Sequence, residues 1–232
     1  MEKGKLYVVS TPIGNLGDIT YRGIEILKSV SFVLAEDTRE SIKLFKKYGI
    51  NTPLISYRDQ NHERIFDKIK EKLELGLNLA LISDSGTPLI SDPGFKLVRQ
   101  LRELEYQIES VPGPSALISA LSISGLPTDK FVFLGFLPKS LVKRKNILNK
   151  YLSLGITVLM YESPNRVVSL LKTISECYEN NHTVLTKDIT KLREEFLSGT
   201  SDQLIAELKK RGFDSHPHGE FVVLTYPLLK KE

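Results

Sequence analysis

The sequence predicts an α/β protein built from two α/β domains, with a largely parallel sheet in the N-terminal domain and a mixed sheet in the C-terminal one. Three observations carry this. Through the first half, short β-branched or apolar runs alternate with amphipathic helical patterns, the signal for βα units. A stretch rich in turn formers, Val111 to Asp129 with Pro112, Gly113, Pro114, Gly125 and Pro127, then interrupts the pattern. Beyond it strand-like runs resume, two of them separated by only a short loop, which favours an antiparallel pair. Domains of residues 1–125 and 126–232 follow, and a cleft between domains is a usual place for a ligand.

Taken in order, the first five strands are expected at Leu6–Val9, Phe32–Ala35, Leu54–Ser56, Leu79–Ser83 and Ile108–Val111. The fourth is apolar enough to be buried on both faces. After the first strand, Ile19, Gly23, Ile26, Leu27 and Val30 share one helical face. A later helix from about Glu63 carries Ile65, Phe66, Ile69 and Leu73 and stops at Gly76. Asp92-Pro93 pairs a good N-cap with the residue best tolerated at the first helical position, so a helix should start there. Ser163-Pro164 repeats that signature. Between them lies a short apolar helix, Ser115–Ser122. The second set of strands is Phe131–Phe136, Ile156–Tyr161, Thr183–Lys187, Arg193–Leu197 and Phe221–Tyr226.

Composition narrows the function classes. With 41% hydrophobic and 26% charged residues the chain has the balance of a packed globular protein. Its longest apolar stretches fall far short of the roughly 18–20 residues that span a bilayer, and the N-terminus runs straight into a strand; neither a membrane span nor a signal peptide is expected. Cys177 is a lone cysteine and the four histidines have no metal-ligand spacing, so a reducing cytosol and a metal-free site are the default expectations. Neither a G-x-x-x-x-G-K-[ST] loop nor a G-x-G-x-x-G turn is present, which removes the main support for nucleotide hydrolysis and nicotinamide binding. The net charge of +4 is mild, but between Lys139 and Lys150 five bases (Lys139, Lys143, Arg144, Lys145, Lys150) occur without an acid. Such a run is either a solvated helix face or a phosphate-facing patch.

Four loops stand just past strand C-termini, where a doubly wound sheet places its ligands: Thr11–Asn15, Glu36–Arg39, Ser83–Pro88 and Val111–Ala116. Each alone reads as ordinary turn chemistry; together they suggest one pocket. In the third, Ser85, Gly86 and Thr87 let backbone groups approach a ligand closely, and Pro88 lowers the cost of ordering the loop. In the second, Asp37-x-x-Glu40 satisfies a capping-box pattern, while Glu36, Asp37 and Arg39 also bring both signs of charge to a strand end, as candidates for orienting a polar acceptor. Asn61 is read as a helix cap and His62 as an ordinary surface imidazole.

Val9–Thr20, Ala35–Arg39, Ser83–Pro88 with Ile90-Ser91-Asp92-Pro93-Gly94, Val111–Ala116 and Gly125-Leu126-Pro127 together resemble the ribosomal RNA small subunit methyltransferase I family, ribose 2′-O-methyltransferases of a cytidine. Further matches are Gly135–Pro138, Tyr161–Arg166, Thr190-Lys191 with Glu194, and Gly219-Glu220. Departures stand at Ser10, Ser85 and Lys187-Asp188. The resemblance implies a tetrapyrrole-methylase-like fold, S-adenosylmethionine in the interdomain cleft, a homodimer, and 16S ribosomal RNA or the small subunit as substrate. Carried over by it, Pro12, Asp84, Gly86, Thr87 and Ile90 would line the methionine and ribose side of the cofactor, and Ser115, Ala116, Tyr161 and Gly219 the adenine side. Glu36, Asp37, Arg39, Glu162 and Arg166 are then candidates for the proton acceptor or for stabilising an alkoxide. Lys139, Lys143, Arg144, Lys145 and Arg166 become the expected RNA contacts. Tetrapyrrole methyl transfer and a non-catalytic cofactor-binding module are the competing readings.

Overall fold

The structure, a computed structural model, describes residues 2–228, apart from the side chain of Asp214. It divides into two compact units, residues 1–115 and 116–232. The division falls earlier than the one expected from the turn-rich stretch, because the apolar helix within that stretch packs with the second unit.

In the first unit the strands are β1 (Leu6–Val9), β2 (Phe32–Ala35), β3 (Leu54–Ser56), β4 (Leu79–Ile82) and β5 (Ile108–Val111), and the helices are α1 (Tyr21–Ser29), α2 (Thr38–Tyr48), α3 (His62–Glu74) and α4 (Phe95–Glu103). The sheet is parallel throughout, in the order β3-β2-β4-β1-β5. Strand alternation splits its side chains between two cores. Val9, Val33, Ala80 and Ile82 face Leu27 of α1 and Leu44 and Phe45 of α2. Leu6, Leu34, Leu79 and Leu81 face Phe66, Ile69 and Leu73 of α3 and Leu97 and Leu101 of α4. Helices thus cover both faces, which is why β4 is buried along its whole length. The chain leaves β1 in one direction to form β2 and leaves β4 in the other to form β5. These neighbours therefore flank the topological switch point, where the crevice of such a sheet opens.

The second unit comprises α5 (Ala116–Ile123), β6 (Phe131–Phe136), α6 (Leu141–Leu152), β7 (Thr157–Glu162), α7 (Val167–Cys177), β8 (Asn181–Lys187), β9 (Glu195–Gly199), α8 (Ser201–Lys210) and β10 (Phe221–Pro227). Its sheet runs β6-β7-β10-β8-β9, with only β6 and β7 parallel. The antiparallel pair expected from the short loop is β8 and β9. Helices α6, α7 and α8 close one face over Val158, Met160, Leu185 and Val223.

Local expectations fail at four places, and at a fifth, the Asp37 cap, only the capping half of the expected box forms. Helix α4 begins at Phe95, not at Asp92, because the backbone turns through Gly94 at φ 127°. Helix α7 begins at Val167: the carbonyl of Ser163 accepts from the N–H groups of Arg166 and Val167 at 3.0 and 3.1 Å, so a turn precedes the helix. The side chain of Asp37 caps α2 through the N–H of Arg39, without a reciprocal bond from Glu40. Asn61 spends its side chain on the backbone of Arg58 and Ser56 instead of capping α3. His62 is 2% exposed, its ring held between the hydroxyl of Tyr57 at 3.0 Å and Gln100 at 2.7 Å, and is no surface imidazole.

Candidate active site at the strand ends of the first sheet

The loops after β1 and β4 are fastened to each other at the switch point. Thr11 N–H donates to Gly86 O at 2.9 Å and Gly86 N–H returns the bond to Thr11 O at 3.1 Å. The hydroxyl of Thr11 adds a bond to Ser83 O at 3.1 Å. Thr87 Oγ1 lies 3.0 Å from Ser10 Oγ and donates to Pro114 O at 3.1 Å, bringing the loop after β5 into the same network. Gly86 sits at φ 81°, and a Cβ there would stand 3.1 Å from Ile13 Cγ2, so both backbone and space call for glycine. Gly86 and Thr87 are thus brought beside the loop that carries Pro12. Ile90, 40% exposed, lies between Leu89 and Ser91, which hold φ 73° and 68°. Left-handed backbone at two non-glycine residues is strain of the kind that collects at functional loops.

Beside this network the β2 and β4 ends gather carboxylates. Asp84 Oδ1 accepts the N–H of Asp37 at 2.9 Å, tying the two loops. Asp37 is itself gripped by Arg39, whose Nε and Nη2 reach it at 3.2 and 3.0 Å. Those bonds hold the Asp37 carboxyl down at about 2. Arg39 projects into solvent with its side chain 85% exposed. Glu36 behaves oppositely: burial, then the nearby charge of Asp84, push its carboxyl above the usual range. Asp92 is pushed up to about 6 by burial and then by Glu36 and Asp84, against a hydrogen bond from Ser83. Asp59 accepts the N–H of Gly94 at 3.1 Å and so serves the start of α4 in place of Asp92. Arg58 donates to Glu36 O at 3.1 Å and lies 3.9 Å from Asp37 Oδ2.

Asp92 and Arg58 were missed as site residues. A signal existed, since Asp92 shares with Asp84 the loop after β4, but its cap-plus-proline reading absorbed it. Their presence changes what the edge can hold. Carboxyl groups whose burial, and then mutual repulsion, raises their proton affinity favour a cationic or hydrogen-bond-donating ligand over a phosphate.

Tyr161 and Gly219 belong to the second unit. Tyr161 lies on β7 against the rings of Phe133 and Phe136, with centroids 4.8 and 5.8 Å away. Gly219 has φ 96°, and a Cβ there would stand 2.7 Å from Lys187 Cε. Ser115 closes the first unit and Ala116 opens the second. Glu162 is buried, accepts from Ser163 N–H at 2.8 Å and pairs with Arg166 at 3.1 Å; Arg166 also donates to Leu137 O at 2.6 Å. Among the expected RNA contacts, Arg144 is corrected. It is 4% exposed and donates to Ser169 Oγ at 2.9 Å, because it shares a helical stripe with buried Leu148 and Leu152. Lys145 is committed to Glu176 at 2.8 Å, whereas Lys139 and Lys143 are exposed.

The family model for tetrapyrrole (corrin/porphyrin) methylases matches residues 5–205. A ribosomal RNA small subunit methyltransferase I of Rickettsia prowazekii is 44% identical over 88% of this chain and 72% of its own length. Its namesake in Thermotoga maritima is 39% identical over 95% of this chain and 97% of its own. The chain belongs to the ribosomal RNA small subunit methyltransferase I family. It is accordingly a methyltransferase. Among solved structures, a cobalt precorrin-4 methyltransferase of cobalamin biosynthesis superposes with a TM-score of 0.69 at 16% identity, covering 95% of this chain and 94% of that one. A putative diphthine synthase from Entamoeba histolytica gives 0.68 at 15% identity, over 99% and 94%. At such identities the likeness shows the shared fold alone. Among the described residues no helix is long and apolar enough to cross a membrane.

Proposed function

We propose that the chain transfers the methyl group of S-adenosylmethionine to the 2′-hydroxyl of a cytidine ribose in 16S small-subunit ribosomal RNA, acting in the cytoplasm as a homodimer. The observation that carries this reading is the set of close-approach loops hydrogen-bonded to one another at the switch point, beside an edge lined with carboxyls. The donor set fits the cofactor. A sulfonium, an ammonium and ribose hydroxyls are cations or donors, and the exposed Asp84 and half-buried Glu36 oppose them with acceptors. S-adenosylmethionine supplies an electrophilic methyl group. The protein's share is to align and to exclude water. Gly86 and Thr87 present backbone at short range, Pro12 and Ile90 give apolar contact, and Ser115, Ala116, Tyr161 and Gly219 are assigned to the adenine.

Glu36 is assigned to hold the proton that leaves the ribose hydroxyl. Its raised proton affinity suits that task, whereas the grip of Arg39 leaves Asp37 a poor acceptor. Lys139, Lys143 and Arg166 are assigned to RNA phosphates. The test is incubation of the enzyme and labelled S-adenosylmethionine with small ribosomal subunits or with a precorrin-type substrate, followed by mass spectrometry of nucleosides. Label in a 2′-O-methylcytidine is expected; label in the tetrapyrrole, or in neither, would refute the proposal. Glu36→Gln is expected to lower methylation by about 100-fold, within the usual range for a general base, with a smaller loss of cofactor affinity from the missing carboxylate charge.

A further inference from the structure

The second unit contains a cavity none of whose lining residues is assigned a part in the proposed methyl transfer. Its volume is about 170 Å³, and it is walled by the ends of β8, β9 and α8 and the segment entering β10. Strand register fixes its orientation. Phe221 pairs with Lys187, and both point toward the helix-covered face; the adjoining row, Tyr161, Val222 and Thr186, points the other way. The cavity thus lies across the sheet from Tyr161.

Its polar side is an ion cluster in which Lys187 is buried and Glu195 and Arg211 are partly exposed. Lys187 is 7% exposed; its ammonium donates to Glu195 at 2.6 Å and to His218 Nε2 at 3.1 Å. An ammonium has three donors, so one N–H is left without an acceptor among the described residues. Because His218 Nε2 accepts from the ammonium, its Nδ1–H is the donor to His216 O at 2.8 Å. The other oxygen of Glu195 takes Arg211 at 2.8 Å. One carboxylate is therefore shared by two cations within the lining; the second partner of Arg211, Glu207 at 2.7 Å, stands outside it. Gly219 keeps the lysine stem in place, since a Cβ there would overlap Lys187 Cε. Leu197, Leu208, Phe213 and Phe221 supply the apolar part of the wall. The space is close to the roughly 150 Å³ of a cavity that takes up benzene.

We propose that this cavity binds a small anionic ligand, a carboxylate or phosphate ester carrying an apolar group about the size of one ring. The anionic group sits on Lys187 and Arg211 in competition with Glu195, and the ring sits against Phe213 and Leu197. The site is independent of the cofactor.

The test titrates the full chain with benzoate, phenyl phosphate and inorganic phosphate, by calorimetry and by the nuclear magnetic resonance signals of His218 and Lys187. Benzoate and phenyl phosphate are expected to shift both signals, and inorganic phosphate to bind about 10-fold more weakly than phenyl phosphate for want of the ring. Lys187→Met is expected to weaken benzoate by about 10-fold or more, the worth of a charge-assisted hydrogen bond. Glu195→Gln is expected to tighten benzoate several-fold, because the resident competitor loses its charge; a purely structural Glu195 would not do this. S-adenosylmethionine affinity stays unchanged in both variants, which separates this site from the methyl-transfer reading. The proposal is overturned if saturating benzoate moves neither signal, if inorganic phosphate binds as tightly as phenyl phosphate, or if either variant, folded by circular dichroism, binds benzoate like the parent.

Discussion

The two sheets handle their polar groups in opposite ways. In the first, parallel pairing sends every strand C-terminus to one edge, so Thr11, Glu36, Asp84 and the loop after β5 converge and polar atoms are left facing outward. In the second, antiparallel pairing alternates the strand ends, and the polar residues at the start of β8, Asn181 and Thr183, are consumed inside. Asn181 Oδ1 accepts from Ser201 N–H, Ser201 Oγ and Thr183 Oγ1 at 3.0, 2.9 and 2.8 Å, while Thr183 also meets Thr225 at 2.9 Å. The first network leaves acceptors at the sheet edge; the second holds strands to a helix. Sheet topology, more than residue type, decides which hydroxyls and carboxyls remain available for chemistry.

Four substitutions break or sharpen this contrast. Asn181→Ala leaves the buried Ser201 N–H without its acceptor and removes one partner each from Ser201 Oγ and Thr183 Oγ1, so denaturant unfolding of the second unit should show a loss of about 2–3 kcal/mol with cofactor affinity retained. Asp84→Asn should do the reverse: cofactor affinity falls about 10- to 100-fold, as expected for a charged hydrogen bond, with little change in unfolding. Asp92→Asn should stabilise the first unit. The folded carboxyl titrates at about 6, above the unfolded value near 3.8, so its charged form costs stability above pH 6 and nothing below pH 3.8. After allowance for partial exposure, the gain is about 1–2 kcal/mol at pH 8 and vanishes at pH 3. Thr87→Val, which loses its bonds to Ser10 and Pro114, should cost about 1 kcal/mol and loosen the cofactor slightly.

Sequence periodicity revealed most of the fold because the elements obey simple rules. Strands such as Leu79–Ile82 are uniformly apolar, and α3 keeps Phe66, Ile69 and Leu73 on one face. The loops of the candidate site were legible from glycine and proline placed after strands. What the sequence hid was three-dimensional exchange of partners. Asp59 takes the N–H at the start of α4, which frees Asp92 for the acidic edge. Tyr57 and Gln100 bury His62 from opposite sides. Arg144 was legible in principle: its spacing from Leu148 and Leu152 is that of a core stripe, and counting bases without helical phase obscured it.

The central claim is that the carboxyl-lined edge of the parallel sheet receives a sulfonium nucleoside. Calorimetry of the purified chain with S-adenosylmethionine tests it most directly. One molecule bound per chain, weakened by Asp84→Asn and indifferent to Asn181→Ala, is the predicted result. Absence of binding, or an Asp84→Asn protein that binds as tightly as the parent, would contradict it.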